Sequence, residues 1–320
     1  MKKAKKIILA VALVLTVGII FTIATLALDL QKLFRNKDDE YEFAPGPGGD
    51  IAEPPPEDDL DSVVEWEEED EPIEDDGEAV TYVIDPERIN VLLVGVDKRP
   101  GSRRAPLSDS IMIFSYKKDG DPVLMSIPRD TYVKIPGRGM DKINHSHAFG
   151  GVALLREAVE DFTQIPIHYY LRVNFGGFEE IVDMLGGVEV YVDKDMFYLK
   201  KGTQVLNGAD ALVYCRFRKD SRGDFGRAER QQRFLVATAK QVQSESLHKL
   251  PALIKEGVKY VDTDMPLLKL LDFASEFSDI DLDAVARHVV TGRGFYYKGV
   301  YYSEPRVAEM REFIIKYMAK

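Results

Sequence analysis

VLLVGVDKR, residues 91–99, decides how the chain folds. From Val91 to Val96 the run is apolar apart from Gly95, shows no polar alternation, and stops on Asp97. A strand with one wet face alternates; an unbroken run predicts a central strand covered on both faces of an α/β sheet. Outward from it, SIMIFSY at 110–116 and VLMSI at 123–127 predict two further strands, joined by the turn KDGDP at 118–122. A helix is expected from about Gly151 to Phe162 and a strand at Tyr169–Val173. Asn174 then caps an amphipathic helix over Phe175–Leu185, which ends at Gly186-Gly187 before a strand at Val188–Val192. Helical patterns recur near Leu267–Phe277 and Pro305–Tyr317, and Val289–Tyr302 has strand character with an aromatic group. The expected fold class is α/β (α+β), a central mixed β-sheet flanked by helices. Asp97 and Arg99 follow the first strand, Asp109 precedes the second, and Arg129 and Asp130 follow the third. Strand ends are where open α/β sheets hold ligands, so this gathering suggests a metal and phosphate site. Taken singly, each residue reads as a turn or cap residue.

The densest chemistry lies in RFRKDSRGDFGRAERQQR, 216–233. It follows the apolar run Ala211–Tyr214, so Arg216 and Arg218 are expected on one face of an extended segment. Asn207 to Ala211 opens a short helix before it. Asp224 is expected to cap a helix from Phe225 to Gln243, with Arg227, Arg230 and Gln231 on one face at i, i+3 and i+4 near the positive end of the dipole. Arginine at every basic position in the first turns favours bidentate contact with phosphate over a merely solvated face. Arg233 is expected to pair with Glu229. Cys215, the one cysteine, excludes an intramolecular disulfide and reads as a small buried residue. His145 and His147 lack a third ligand at metal spacing and read as ordinary polar contacts.

Composition sets the envelope. The chain has 320 residues and a net charge of -12, yet Asp38–Glu78 alone holds twenty carboxylates and no Lys or Arg, which leaves +8 elsewhere. Nucleic-acid binding by bulk charge is therefore not supported. The stretch is too poor in apolar residues to offset its ordering entropy and is expected to be a disordered linker over 29–85. Ile7–Leu28 is an uncharged run of twenty-two residues after Lys2, Lys3, Lys5 and Lys6. It is long enough to span a bilayer and exceeds the roughly 7–15 residues of a cleaved signal's apolar core. The expected order is a cytoplasmic tail at 1–6, a transmembrane helix at 7–28, the linker, and an extracytoplasmic domain at 86–320.

VLLVGVDKR at 91–99, SDSIMIFSY at 108–116, VLMSIPRDTYV at 123–133, DKINHSHAFGG at 141–151, VNFGGFEEIVDMLGGVEV at 173–190, LNGADALVYCRFR at 206–218 and DFGRAERQQR at 224–233 together resemble the LytR-CpsA-Psr family of bacterial cell-envelope proteins. The resemblance implies a Mg²⁺-dependent phosphotransferase that moves an anionic glycopolymer, such as teichoic acid or capsule, from an undecaprenyl-pyrophosphate carrier to peptidoglycan. It also implies an apolar pocket for the polyprenyl lipid between sheet and helices. Asp97 and Asp109 stand where the family holds its metal, and Arg129, Arg216, Arg218, Arg227 and Gln231 where it holds the pyrophosphate. Arg99 and Arg230 join the expected pyrophosphate set. The expected catalytic residues are Arg129, Arg216, Arg218 and Asp224, with Asp224 or Asp130 taking the hydroxyl proton and Asp224 equally readable as a helix cap. The family carries Arg before the Ser-Asp pair where this chain has Leu107, so either Arg103 or Arg104 substitutes from the adjacent loop or one phosphate contact is missing. A pyrophosphate-lipid hydrolase would use the same residues with water as the attacking group, and a non-catalytic wall-binding or regulatory protein is the third reading.

The lysine-rich start and the apolar run give a topology test: a reporter fused after Lys320 is expected to be active only when it is of a kind that works outside the membrane. Activity of a cytoplasm-only reporter there would reverse the orientation.

Overall fold

The computed structural model describes residues 82–96, 105–244, 260–266, 269 and 280–320. Asp97, Arg99, Arg103, Arg104, the run 7–28, the acidic stretch 38–78 and most of the expected helix at 267–277 lie outside the described residues. The strands in chain order are β1 (Ile89–Val96), β2 (Ser108–Tyr116), β3 (Val123–Ser126), β4 (Tyr132–Ile135), β5 (Gly139–Lys142), β6 (Tyr169–Asn174), β7 (Val188–Val192), β8 (Gly202–Leu206), β9 (Val261–Thr263), β10 (Ala286–Val289), β11 (Gly292–Tyr297) and β12 (Val300–Pro305). The described helices are α1 (Ile143–Thr163), α2 (Phe175–Met184), α3 (Gly208–Arg216), α4 (Gly223–Ser244) and α5 (Val307–Tyr317).

Six strands form one mixed sheet in the order β10-β3-β2-β1-β6-β9, with β1 well inside it. β1 runs antiparallel to β2 and parallel to β6, and β3 runs parallel to β10. Strand alternation distributes the apolar run over both faces. Leu92, Val94, Ile111 and Ile113 pack against Leu155 and Val159 of α1 and Met310 and Ile314 of α5. Val91, Met112, Phe114 and Leu171 pack against Val182 of α2, Tyr214 of α3 and Phe234 of α4. Cover on both sides is why the sequence of β1 does not alternate. Gly95 pairs with Ser110 and Val96 with Ser108, so Asp109 is an extra residue bulged out of the ladder. A bulge re-aims a side chain, and this one sets Asp109 outside the ladder at the end of β1 and the start of β2.

Several local expectations hold. Asn174 caps α2, its Oδ1 accepting from Gly177 N at 2.8 Å, and the turn to β7 uses left-handed φ of +77° at Gly186 and +89° at Gly187. Others need correction. Ala211–Tyr214 is not extended but forms the middle of α3, because Asn207 caps it through Asp210 N and helical spacing brings Ala211, Tyr214 and Cys215 to the core together. Arg216 ends that helix, and Phe217 turns the chain at φ -62°, ψ 129°, so Arg216 and Arg218 do not alternate on a strand. α1 starts at Ile143, eight residues before expectation, and is kinked where Gly151 takes φ +63°. Asp224 lies inside the first turn of α4 instead of capping it from outside. The folded domain also begins before residue 86: Ile84 bridges to Ala319 and Asp85 pairs with Lys117 at 2.6 Å.

α2 and α3 meet at closest approach at Gly208, where a Cβ would lie 2.4 Å from the Glu179 carbonyl oxygen. Gly208→Ala is expected to force the two helices apart and destabilise the domain by about 1–3 kcal/mol. The check is a lower urea midpoint with an unchanged m-value; an unshifted midpoint would show that the contact relaxes freely.

Candidate active site

α2, α3 and α4 lean on the odd-numbered face of β1 without filling it. They leave an apolar cavity of about 1080 Å³ of empty space, counted to its open mouth. Leu93, Met112, Leu171, Phe178, Ile181 and Leu235 supply its greasy wall, and Arg216 and Gln231 also line it. Small residues keep it open near the bulge: a Cβ on Gly95 would sit 3.0 Å from that of Ser110. Arg216 stacks its guanidinium on the Phe175 ring at 4.9 Å, and Gln231 donates to the Cys215 carbonyl at 3.2 Å.

Beside this cavity, Ser110 leads to Asp109 and from there to a charged cluster drawn from five separate segments of the chain. Arg129, in the loop after β3, donates to Asp109 at 2.9 Å and lies 3.5 Å from both Asp130 and Asp224. Arg227 of α4 pairs with Asp224 at 3.1 Å, and its side chain also reaches the Asp109 carbonyl at 3.4 Å. Arg218 approaches Asp224 at 3.7 Å, and Lys142 holds Asp130 at 3.1 Å. Asp224 therefore faces three guanidiniums. Burial pulls its carboxyl upward, but Arg227, Arg129 and Arg218 outweigh burial and hold it below the ordinary range. Burial pulls Arg227 below its ordinary value in spite of Asp224 and Asp109, and the nearby Arg129 and Arg218 push the same way. Among the described residues of this cluster four cations meet three carboxylates, and Arg216 adds a fifth positive charge at the cavity. An added anion with several oxygens would complete the balance.

The structure thus brings Arg129, Arg218, Asp224, Arg227 and Asp109 together, and puts Arg216 and Gln231 on the adjoining cavity. It does not bring Arg230 there. Its side chain is fully buried, pairs with Asp220 at 2.8 Å, donates to the Phe217 carbonyl and packs on the Phe217 ring. Arg233 pairs with Asp193 at 3.7 Å, and Glu229 is taken by Arg222, so the expected Glu229–Arg233 pair is absent. Cys215 is buried and its thiol is pushed up by burial, an inert group. His145 meets Asp141 and His147 the Pro106 carbonyl, ordinary polar contacts as expected. Lys142 was missed by sequence reasoning; its one signal was a position in the strand leading into α1. Among the described residues no group of three or more acidic, His or Cys side chains is arranged to hold a metal. Asp109 offers hard carboxylate oxygen, of which Oδ1 is engaged by Arg129.

The Arg230–Asp220 pair generates a stability prediction. Burial raises the Asp220 carboxyl, but the hydrogen bond from Arg230 prevails and holds it below its ordinary value of 3.8. A depressed folded-state value means the stabilisation is present at neutral pH and fades as pH falls below about 3.8 through the folded value. Asp220→Asn should strand a buried guanidinium, cost about 3–5 kcal/mol, and flatten the acid limb of the stability curve. Denaturant melts from pH 7 down to pH 2 would test it; an unchanged melt would move Arg230 back among the ligand-binding residues.

The model of the LytR_cpsA_psr family matches residues 62–316. Over 221 residues, 67% of this chain and 71% of the relative, the sequence is 36% identical to the polyisoprenyl-teichoic acid–peptidoglycan teichoic acid transferase TagU of Bacillus subtilis strain 168. The fold superposes on the crystal structure of B. subtilis TagV with a TM-score of 0.64 at 30% identity, over 73% of this chain and 98% of that one. It superposes on TagT bound to LIIa-WTA with a TM-score of 0.61 at 29% identity, over 72% and 91%. The mixed sheet, the apolar cavity and the arginine cluster thus sit in a sequence whose match runs through nearly the whole described domain, and the chain belongs to the LytR_cpsA_psr family.

Proposed function

We propose that this protein is a phosphotransferase that takes an anionic glycopolymer from an undecaprenyl-pyrophosphate carrier and joins it to peptidoglycan. The observation that carries the reading is the adjacency of an apolar cavity and an arginine cluster with surplus positive charge. A polyprenyl pyrophosphate has the same two-part character: a hydrocarbon chain and a multiply charged head. The relatives are named for teichoic acid transfer from a polyisoprenyl carrier to peptidoglycan, which is the same chemistry. Membrane anchoring through 7–28 would keep the domain beside the lipid carrier, outside the cytoplasm.

In the mechanism, the lipid lies along Leu93, Met112 and Phe178 while Arg129, Arg218 and Arg227 take the pyrophosphate oxygens, with Arg216 at the cavity side. An acceptor hydroxyl attacks the glycopolymer-side phosphorus, the bond to the lipid-side bridging oxygen breaks, and lipid monophosphate leaves. The guanidiniums hold the charge that spreads over the phosphoryl oxygens. Asp224 accepts the hydroxyl proton. Its low affinity for protons reflects the three arginines, and a bound pyrophosphate that claims them would make the carboxylate more basic. Asp109, together with Asp97, would hold Mg²⁺, whose contribution when bound is to neutralise phosphate charge. Few protein carboxylates suit an ion that shares its coordination with substrate phosphates and water.

Alanine at Arg129, Arg218 or Arg227 is expected to slow transfer by roughly 30- to 1000-fold, or about 2–4 kcal/mol of transition-state stabilisation. The losses should not add, because the three act on one ligand. Arg233→Ala, whose partner Asp193 lies away from the cluster, should be nearly neutral. The assay is transfer from a polyprenyl-pyrophosphate glycopolymer to peptidoglycan fragments, with products separated into linked and free polymer and melts run in parallel. Full activity of the Arg129 and Arg227 variants would defeat the assignment, and free polymer as sole product would make the protein a hydrolase.

A further inference from the structure

The β11–β12 ribbon stands outside the main sheet and has two unlike faces. On one, Phe295 and Tyr302 stack at 5.6 Å and meet the edge of Tyr132 at 5.3 and 5.1 Å. This face is a small core. On the other face the register pairs Gly294 with Ser303 and Tyr296 with Tyr301. Gly292 and Gly294 leave its middle bare. A Cβ on Gly294 would lie 2.7 Å from the Tyr301 ring and hydroxyl, so that ring lies directly on glycine backbone. Tyr296 stands nearly perpendicular to Tyr301 at 5.6 Å and is 47% exposed. The result is a shallow angle made of two aromatic rings over a glycine floor, with no charged side chain among Gly292, Gly294, Tyr296, Tyr301 and Ser303.

This face is physically joined to the charged cluster. Ser303 N donates to the Asp130 carbonyl at 2.9 Å, and Thr131 bridges to Ser303. Burial, then the charges of Asp130 and Asp224, raise the Tyr301 phenol above its ordinary value. The ribbon thus joins the charged cluster through the backbone at Asp130 and Thr131, and none of its residues lines the cavity.

We propose that the Gly294–Tyr296–Tyr301 face of the β11–β12 ribbon seats the acceptor, the glycan strand of peptidoglycan, and presents its hydroxyl to the carboxylates. The proposal rests on the phosphotransferase reading above for the identity of the acceptor. Pyranose rings offer a face of C–H groups that lies well on an aromatic ring and a rim of hydroxyls that a phenol can bond. In-line displacement requires the attacking hydroxyl opposite the leaving lipid phosphate, and the ribbon is joined to the charged cluster without lining the cavity. Its lack of charge suits a glycan strand better than the anionic polymer being transferred, which the arginines would attract.

The test uses the full chain in detergent micelles and a soluble peptidoglycan glycan octasaccharide, with affinity read by calorimetry in the absence of donor. Tyr296→Ala and Tyr301→Ala should each weaken binding about tenfold. Tyr297→Ala, on the opposite face of the same ribbon and 48% exposed, should change it less than twofold. Displacement of a polyprenyl pyrophosphate should be the same in wild type and Tyr296→Ala. Should Tyr301→Ala misfold, Tyr296→Ala at its exposed position carries the test. Equal affinity in wild type and Tyr296→Ala, equal damage from Tyr297→Ala, or a loss confined to donor binding would each overturn the platform. A wild-type chain that binds the octasaccharide through Tyr296 yet forms no linked product supports the platform and refutes the transferase reading instead.

Discussion

Three guanidiniums within reach of one carboxylate is the constraint on which the site depends. Arg129, Arg218 and Arg227 come from a loop, a helix exit and a helix start, and in a ligand-free domain they would repel one another. Asp224 holds them in one place, sited in the first turn of α4 where a helix dipole also favours negative charge. The same field that keeps Asp224 ionised is one that a pyrophosphate can take over. For the proposed pyrophosphate, Asp224 would act as a stand-in, a single charge where the ligand brings several, so that the arginines are preorganised without being saturated.

The sheet delivers that arrangement because both its faces are covered. Helices on one side only pack; helices on the other pack and leave room. The bulge at Asp109 and the small pair Gly95 and Ser110 occur where the cavity meets the charges, so one irregularity in β2 both aims a carboxylate and thins the wall.

Much of this was legible in the chain. The unbroken apolar run at 91–96 predicts a doubly covered strand, and Asn174 and Asn207 announce their helices by the same capping chemistry the structure uses. Residue type points to all three arginines, with Arg129 marked by its place after a strand and Arg227 by its place in the first turns of a helix, whereas the extended segment expected for Arg218 is instead a helix exit. Two kinds of fact were hidden. Ala211–Tyr214 is too short for its periodicity to separate strand from helix, and only the burial of Ala211, Tyr214 and Cys215 together decides it. Arg230 was misplaced for a geometric reason. Three residues advance a helix by about 300°, leaving it some 60° from Arg227, and here that rotation carries the side chain from the mouth of the site to a buried salt bridge. Nothing local to the sequence says that Asp220, ten residues upstream, waits there.

The cavity has a further consequence. It opens within the domain's own hydrophobic packing, among Leu93, Met112, Val182 and Phe234, side chains that elsewhere in the same cluster touch other side chains. Apolar walls facing empty space forgo the dispersion contacts that a close-packed interior makes. A hydrocarbon chain lying there would supply the missing layer, so that substrate loading and completion of the core become one event. If the cavity seats the hydrocarbon chain proposed for it, the last apolar layer of the fold arrives and leaves with the substrate.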